Sequence, residues 1–359
     1  MRTLSRMTPK QVNRLFMLAI APFIGVTLCI WLLSEPPHLQ LDASVYTPDV
    51  ELSEETKIIV QGLDTAALTV DKTVASIEKT GRLYQQTTQT MNSILKSTEV
   101  QALVPERIYN RRISTKLGSA IERVNSDRIT IELFKVNPGT YHGYAMKVKL
   151  KDPNAMTMSL GRDKVGSVET TLQAVNRFGA VAGINAGGYA DGNDGRYPLS
   201  TTFIDGKYIN GFQASFKDLA FVGLNNKGQL IGGKFRNQQE LDRLDPKFGA
   251  TFVPVLIKNG KKMPIPTKWK TSPARAPRTI IANYKDDQLL IIVTEGYDEK
   301  GNSGATLQEL QNKLIHLGVK DAYNLDGGGS SSLILNGRVV NKPSDGRLRP
   351  VPTHFLFFK

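Results

Sequence analysis

Apolar residues are spaced in three ways along this chain, and each spacing predicts a different structure. The first block, LFMLAIAPFIGVTLCIWLL (15–33), is unbroken and contains no charged side chain. At helical rise it reaches about 28 Å, close to the hydrocarbon thickness of a bilayer. The second block, from 51 to 97, is thin. Ile59, Leu63, Ala66 and Val70 recur at intervals of four, three and four. After a one-residue slip, Val74, Ile77, Gly81, Tyr84, Thr88, Met91 and Leu95 continue the alternation. This predicts either the seam of a coiled coil or a long spacer helix, with Gly81 and Thr88 as poor seam residues.

From about residue 104 the spacing shortens to the period of strands. RITIELFKV (128–136) and GYAMKVKL (143–150) read as two strands joined around Pro138–Gly139. Tight hairpins are expected from Phe203 to Tyr208, Val255 to Met263 and Leu333 to Val340. Asp205–Gly206, Asn259–Gly260 and Asn336–Gly337 supply residues that tolerate the positive φ of such turns. RTIIANYKDDQLLIIVTEG (278–296) is a further hairpin, and its LLIIV run is continuous enough for a strand buried on both faces. Two helices stand out. Ser167 can cap one running to about Phe178, and Thr306 begins another with Leu307, Leu310, Leu314 and Leu317 on one face. The fold class is α+β, with mixed, strand-rich sheets and a few helices, preceded by a transmembrane helix and a helical stalk.

Charge sharpens this division. Residues 1–33 hold four basic groups and no acid; 34–100 hold ten acids against five bases; 101–359 hold 37 bases against 23 acids. The expected organisation is a basic cytoplasmic tail (1–14), a membrane anchor (15–33), an acidic stalk (34–103) and a basic globular domain (104–359). Basic residues before the anchor and Glu35 after it put the N-terminus in the cytoplasm and the domain outside. A cleaved signal peptide competes with the anchor, but the apolar run is long and WLLSEPP offers no Ala-x-Ala-like site. The single cysteine, Cys29, excludes an intrachain disulfide. A basic domain gathers anions near its surface. The positive charges are scattered and carry no nucleic-acid motif, so nucleic acid is not the expected partner.

Two segments echo each other. FGAVAGINAGGYADG (178–192) and LGVKDAYNLDGGGSS (317–331) each run helix end, glycine, short apolar strand, asparagine, glycine-rich loop. Asn185 and Asn324 each lie six residues after the helix-ending Gly179 and Gly318. Such clusters of glycine are costly unless a ligand or another strand must approach the backbone.

INAGGY (184–189), ARAPRT (274–279), SGATLQEL (303–310), NLDGGGSS (324–331) and VVNKPSDGRLRPVP (339–352) occur in the order found in phosphodiester glycosidases. Over about 125–359 the chain resembles that family, with NLDGGGSS and the later RP as its most specific marks. The resemblance implies hydrolysis of a sugar-1-phosphodiester at its glycosidic bond, releasing the sugar and a phosphate monoester.

The residues suit that chemistry. Glycosyl hydrolysis commonly uses two carboxyl groups, and a phosphate leaving group needs charge stabilisation more than acid assistance. Asp326 is the first expected catalytic carboxylate, at a strand end beside three glycines; capping its own turn is the competing role. Amides of Gly327, Gly328 and Gly329, with Ser330 and Ser331, can form an anion-binding nest. Glu295 is the second carboxylate, although this chain has Glu-Gly-Tyr where the family more often has Asp-Gly-Arg. Arg278 and Arg349 are the expected phosphate clamps, with Arg275 and Arg347 as alternatives. Asn185 and Asn324 suit sugar hydroxyls or, alternatively, brace the turns, and Gly187 and Gly188 line the first loop. Asp191 and Asp194, in the loop after INAGGY, are weaker carboxylate candidates, with turn residues as the favoured reading. No transition-metal pattern is present and no cofactor is expected; calcium held by loop aspartates has no specific support.

The substrate expected from charge and location is an anionic, phosphate-linked cell-surface glycan or teichoic-type polymer. Two other functions are compatible with the same residues. One is a noncatalytic binder or assembly factor for anionic exopolysaccharide. The other is an oligomeric scaffold in which 51–97 carries the function.

Overall fold

A computed structural model describes residues 9–33, 54–102, 104–297 and 303–359. Residues 34–53 of the expected stalk and most of the basic tail lie outside the described residues. The chain divides into two units, Met1–Ile94 and Leu95–Lys359.

The first unit is helical. Helix α1 (Pro9–Leu33) contains the stretch Phe16–Leu33, long and apolar enough to cross a membrane and with none of it buried. Helix α2 (Glu54–Ala102) runs through the expected seam and continues into the second unit. Ile59, Leu63, Val70, Val74, Ile77, Tyr84, Met91 and Leu95 are all exposed on it. Seven threonines from Thr65 to Thr90 donate back to the carbonyl four residues earlier.

The second unit opens with α3 (Val104–Leu117), then β1 (Glu122–Asn125), β2 (Ile129–Val136), β3 (Gly143–Leu150) and β4 (Met156–Leu160). Next come α4 (Thr171–Phe178), β5 (Ala182–Asn185), β6 (Tyr189–Asp191), β7 (Arg196–Pro198), β8 (Phe203–Ile204) and β9 (Lys207–Tyr208). These lead to β10 (Ala220–Asn225), β11 (Leu230–Gly233), α5 (Gln238–Asp242), β12 (Pro246–Phe252), β13 (Val255–Lys258) and β14 (Lys261–Lys262). The chain then forms α6 (Thr267–Thr271), β15 (Thr279–Asn283), β16 (Leu289–Thr294), α7 (Leu307–Leu317) and β17 (Asp321–Asn324). It closes with β18 (Leu333–Leu335), β19 (Arg338–Val339) and β20 (Thr353–Phe357).

An eight-stranded sheet in the order β1-β2-β3-β16-β15-β17-β13-β14 faces two five-stranded sheets, β11-β10-β12-β8-β9 and β19-β18-β5-β20-β4. The LLIIV strand shows why the large sheet sits in the middle. Leu289, Ile291 and Val293 pack into the core shared with the smaller sheets, beside Phe248, Phe355 and Tyr323. Leu290 and Ile292 point the other way, onto Leu307, Leu310, Leu314 and Leu317 of α7 and Ile113 and Leu117 of α3. A continuous apolar run is what burial of both faces requires. Helix α4 covers the outer face of β18 and β20, through Ala174 and Val175 against Ile334 and Leu356. The result is helix, sheet, sheet, helix, which accords with the α+β expectation.

The three tight hairpins form as expected. Asp205, Asn259 and Asn336 have φ of 47°, 51° and 50°, each followed by a positive-φ glycine. Thr306 caps α7 in a full capping box with Glu309, and Gly318 ends that helix in the left-handed conformation. The start of α4 differs from the expectation at Ser167. Thr170 is the cap, in a second capping box with Gln173, because Glu169 is held extended by a bridge to Val351. Thr170→Ala should therefore cost about 1 kcal/mol in urea unfolding and Ser167→Ala only a few tenths; equal costs would contradict this cap.

Candidate active site

Antiparallel pairing brings the expected residues to one edge of the large sheet. Strands β16 and β17 flank β15 and both run antiparallel to it. Their C-terminal ends therefore emerge on the same edge, about 10 Å apart by strand spacing. Glu295 follows β16, Asp326 lies two residues past β17, and Arg278 precedes β15 between them. Asn185, the last residue of β5, joins them from the facing sheet.

The glycine loop is built from inside the protein. Gly327 is extended, and residues Gly328–Ser330 make a 3₁₀ turn with φ of 61° at Gly328. The Asp326 amide donates to the Ala186 carbonyl at 3.1 Å and the Gly328 amide to Pro277 at 2.8 Å. Ser330 and Ser331 amides donate to the Gly327 and Gly328 carbonyls, and the Gly327 amide to Asp326 Oδ1 at 3.1 Å. The expected anion nest is thus corrected: the amides of 327, 328, 330 and 331 have partners within the chain. The hydroxyls of Ser330 and Ser331 are buried with no hydrogen-bond partner.

The glycines make room for protein atoms. A Cβ on Gly329 would collide with the Arg349 guanidinium and the Asp345 carboxylate. In the first loop, a Cβ on Gly187 would lie 2.6 Å from the Ala250 methyl, and one on Gly188 would enter the Phe252 ring. Strand β12 is the close neighbour that this loop accommodates.

Both asparagines brace the turns. Asn185 is 1 % exposed and makes three side-chain hydrogen bonds inside the protein. Its Nδ2 donates to the Asp326 carbonyl at 2.6 Å, while Oδ1 accepts from Thr279 Oγ1 at 2.9 Å and from the Ser332 amide at 3.1 Å. Its Oδ1 is thereby taken up by two donors of the protein itself. Asn324 Nδ2 donates to the Val253 carbonyl at 2.6 Å; its Oδ1 is buried without a partner. Asn185→Ala should cost about 3 kcal/mol by urea unfolding, because buried groups on both sheets lose partners together. A cost below about 1 kcal/mol would contradict this brace.

The two carboxylates sit differently. Asp326 is half-buried beside its own turn. Glu295 is gripped twice: its amide donates to the His142 carbonyl at 2.9 Å, and its Oε1 accepts the Lys342 amide at 2.6 Å. It borders a cavity of about 370 Å³ lined by residues including His142, Arg275, Tyr297, Ser303 and Lys342. A solvated strand end would have neither grip.

Three of the four expected arginines are tied within the chain, while Arg347 is exposed and makes no hydrogen bond or ion pair to the described residues. Arg278 is 4 % exposed, with Nη2 donating to the Pro273 carbonyl at 2.9 Å. Burial pulls its guanidinium down to about 10, still cationic at neutral pH. Arg349 pairs with Asp345 through Nη2 at 2.8 Å. Arg275 joins Glu309 at 2.6 Å and donates to the Gly304 carbonyl at 2.7 Å. Asp191 pairs with Arg196, and Asp194 accepts from Tyr197, as turn residues.

His354, on β20, is fully buried behind the glycine loop. Its Nδ1 lies 3.2 Å from Thr171 Oγ1, which lies 2.7 Å from Ser332 Oγ; that hydroxyl donates to the Ser330 carbonyl. The glycine loop is thereby tied to β20 and α4. The signal was cross-strand pairing of His354 with Asn185, which only topology reveals. Burial holds the imidazole down to about 4 from its ordinary 6.5, opposed by Glu169 and reinforced by Arg177. The unfolded chain accepts a proton below about pH 6.5 that the folded protein refuses. Stability should fall by on the order of 3 kcal/mol as pH drops from about 6.5 to about 4. Burial raises Glu169, but bonds from Arg177 and the Arg162 amide outweigh it, so its loss begins only below its ordinary 4.5. Urea unfolding between about pH 7 and pH 5 should show a clear slope in the wild type and a flatter one in His354→Gln. Equal slopes would contradict the assignment.

Against known proteins, residues 178–358 match the model of the phosphodiester glycosidase family, which is half of the chain. The chain belongs to the phosphodiester glycosidase family. Mouse N-acetylglucosamine-1-phosphodiester alpha-N-acetylglucosaminidase is 27% identical over 140 residues, 35% of this chain and 27% of its own. The SPbeta prophage-derived uncharacterized protein YomE of Bacillus subtilis (strain 168) is 34% identical over 85 residues, 24% of this chain and 13% of its own. The chain thus spans well under a third of these relatives. The solved catalytic domain of the zebrafish N-acetylglucosamine-1-phosphodiester enzyme, auto-inhibited by its pro-peptide, shares the fold. It aligns with a TM-score of 0.52 at 18% identity, over 67% of this chain and 87% of that one.

Proposed function

We propose that this chain is a membrane-anchored, extracytoplasmic hydrolase that cleaves the glycosidic bond of sugar-1-phosphodiesters in a cell-surface glycan or teichoic-type polymer. The observation that carries the reading is the convergence of Asp326 and Glu295 on one sheet edge beside a cation-lined cavity, in a chain of this family. In the reaction, water oxygen bonds to the sugar C1 while the C1–O bond to phosphate breaks. The electron pair leaves on the phosphate oxygen, giving a phosphate monoester, and the water proton passes to a carboxylate. Asp326 and Glu295 are the two carboxyl groups, and the surrounding cations offset charge growing on the leaving phosphate.

The strongly basic composition of 101–359 suits a polyanionic substrate. Residues 15–33 serve as the anchor, with residues 1–14 on the cytoplasmic side. The apolar row left exposed on α2 suits self-association of the stalk through 51–97. The engaged amides of the glycine loop also support a second reading, a noncatalytic binder of anionic exopolysaccharide.

Turnover separates the two. Full-length protein in detergent should release N-acetylglucosamine, or another sugar, from a panel of α-1-phosphodiesters. Asp326→Asn, folded by circular dichroism, should lose about 100- to 10,000-fold in rate. No release across the panel with glycan binding intact would replace the enzyme by the binder.

A further inference from the structure

We infer that Lys342 is the phosphate-recognising cation of this site, its ammonium holding a non-bridging phosphate oxygen of the bound sugar-1-phosphodiester. The inference rests on the phosphodiester reading above. It follows first from the other cations: Arg347 is exposed but is not among the residues that line the cavity, and the three other expected clamps are engaged. Arg278 is buried and donates to the Pro273 carbonyl, Arg349 is paired with Asp345, and Arg275 is paired with Glu309 and held to Gly304. Moving any of these onto a ligand would break a charge-assisted bond or strand a buried carbonyl. Lys342 lines the cavity bordered by Glu295 and Arg275, with an exposed side chain that makes no hydrogen bond or ion pair to the described residues.

The second observation is positional. The backbone amide of Lys342 donates to Glu295 Oε1 at 2.6 Å, so this residue is fixed against the carboxylate by its main chain, while its ammonium is unpaired among the described residues. Glu295 alone in the cavity would repel an anionic substrate. An ammonium carried by the residue held against Glu295 offsets that repulsion. Lysine recognises phosphate as a point charge, and its flexible stem lets it follow the oxygen as the C1–O bond lengthens.

The geometry also makes a clean variant. Lys342→Met removes the ammonium and keeps the main-chain bond to Glu295. We would compare wild type, Lys342→Met and Lys342→Arg, each as the full-length chain. The substrates would be a sugar-α-1-phosphodiester and the matching neutral 4-nitrophenyl α-glycoside. Lys342→Met should lose about 10- to 100-fold in kcat/KM on the phosphodiester, and Lys342→Arg should restore most of it. Any rate on the neutral glycoside should stay unchanged. Equal losses on both substrates, or no loss on the phosphodiester, would overturn the assignment. Binding of inorganic phosphate by calorimetry gives a readout free of turnover, and should weaken by a similar factor in Lys342→Met. If no variant hydrolyses any substrate but this loss is seen, the hydrolase reading fails and the phosphate site stands. Phosphate binding that is identical in wild type and Lys342→Met overturns the site itself.

Discussion

The amide of Asn185 is the joint on which the site depends. One buried side chain at the end of β5 holds the Asp326 carbonyl, the Thr279 hydroxyl and the Ser332 amide. It thereby links the smaller sheet to the start of β15 and to both ends of the glycine loop. A hydrophobic contact could press the sheets together but could not set the register of this loop, because apolar attraction has no direction. Hydrogen bonds with fixed donors and acceptors can. The reciprocal bond from the Asp326 amide to Ala186 closes the joint from the other side.

Rigidity around this joint has a chemical consequence. The loop amides, Arg278, Arg275 and Arg349 are held by internal partners, so the local field is set before any ligand arrives. Fixed dipoles and charges of this kind stabilise developing charge without reorganising. Glu295 belongs to the same frame through His142 and Lys342. Three helix caps repeat this economy, since each satisfies main-chain donors with neighbouring side chains.

Much of the fold was legible because its signals are local. Asn-Gly and Asp-Gly specify hairpins through φ alone, and LLIIV declares two buried faces through its lack of polar positions. The paired asparagines were visible as an echo, and both strands end on them. Their partners were not visible, since Asn185 meets Asp326 across 141 residues. The cap of α4 was misplaced because the bridge between Glu169 and Val351 overrides a local serine signal. Lys342 and Asp345 were missed for the same reason. A lysine amide aimed at a glutamate 47 residues away leaves no pattern in sequence.

The central claim is that the bond broken lies between sugar carbon and phosphate oxygen. It is tested most directly by hydrolysis of a sugar-α-1-phosphodiester in ¹⁸O-labelled water, with the products read by ³¹P NMR and mass spectrometry. The account predicts label in the released sugar and none in the phosphate monoester. Label in the phosphate would place the cleavage at phosphorus and contradict a glycosidase mechanism.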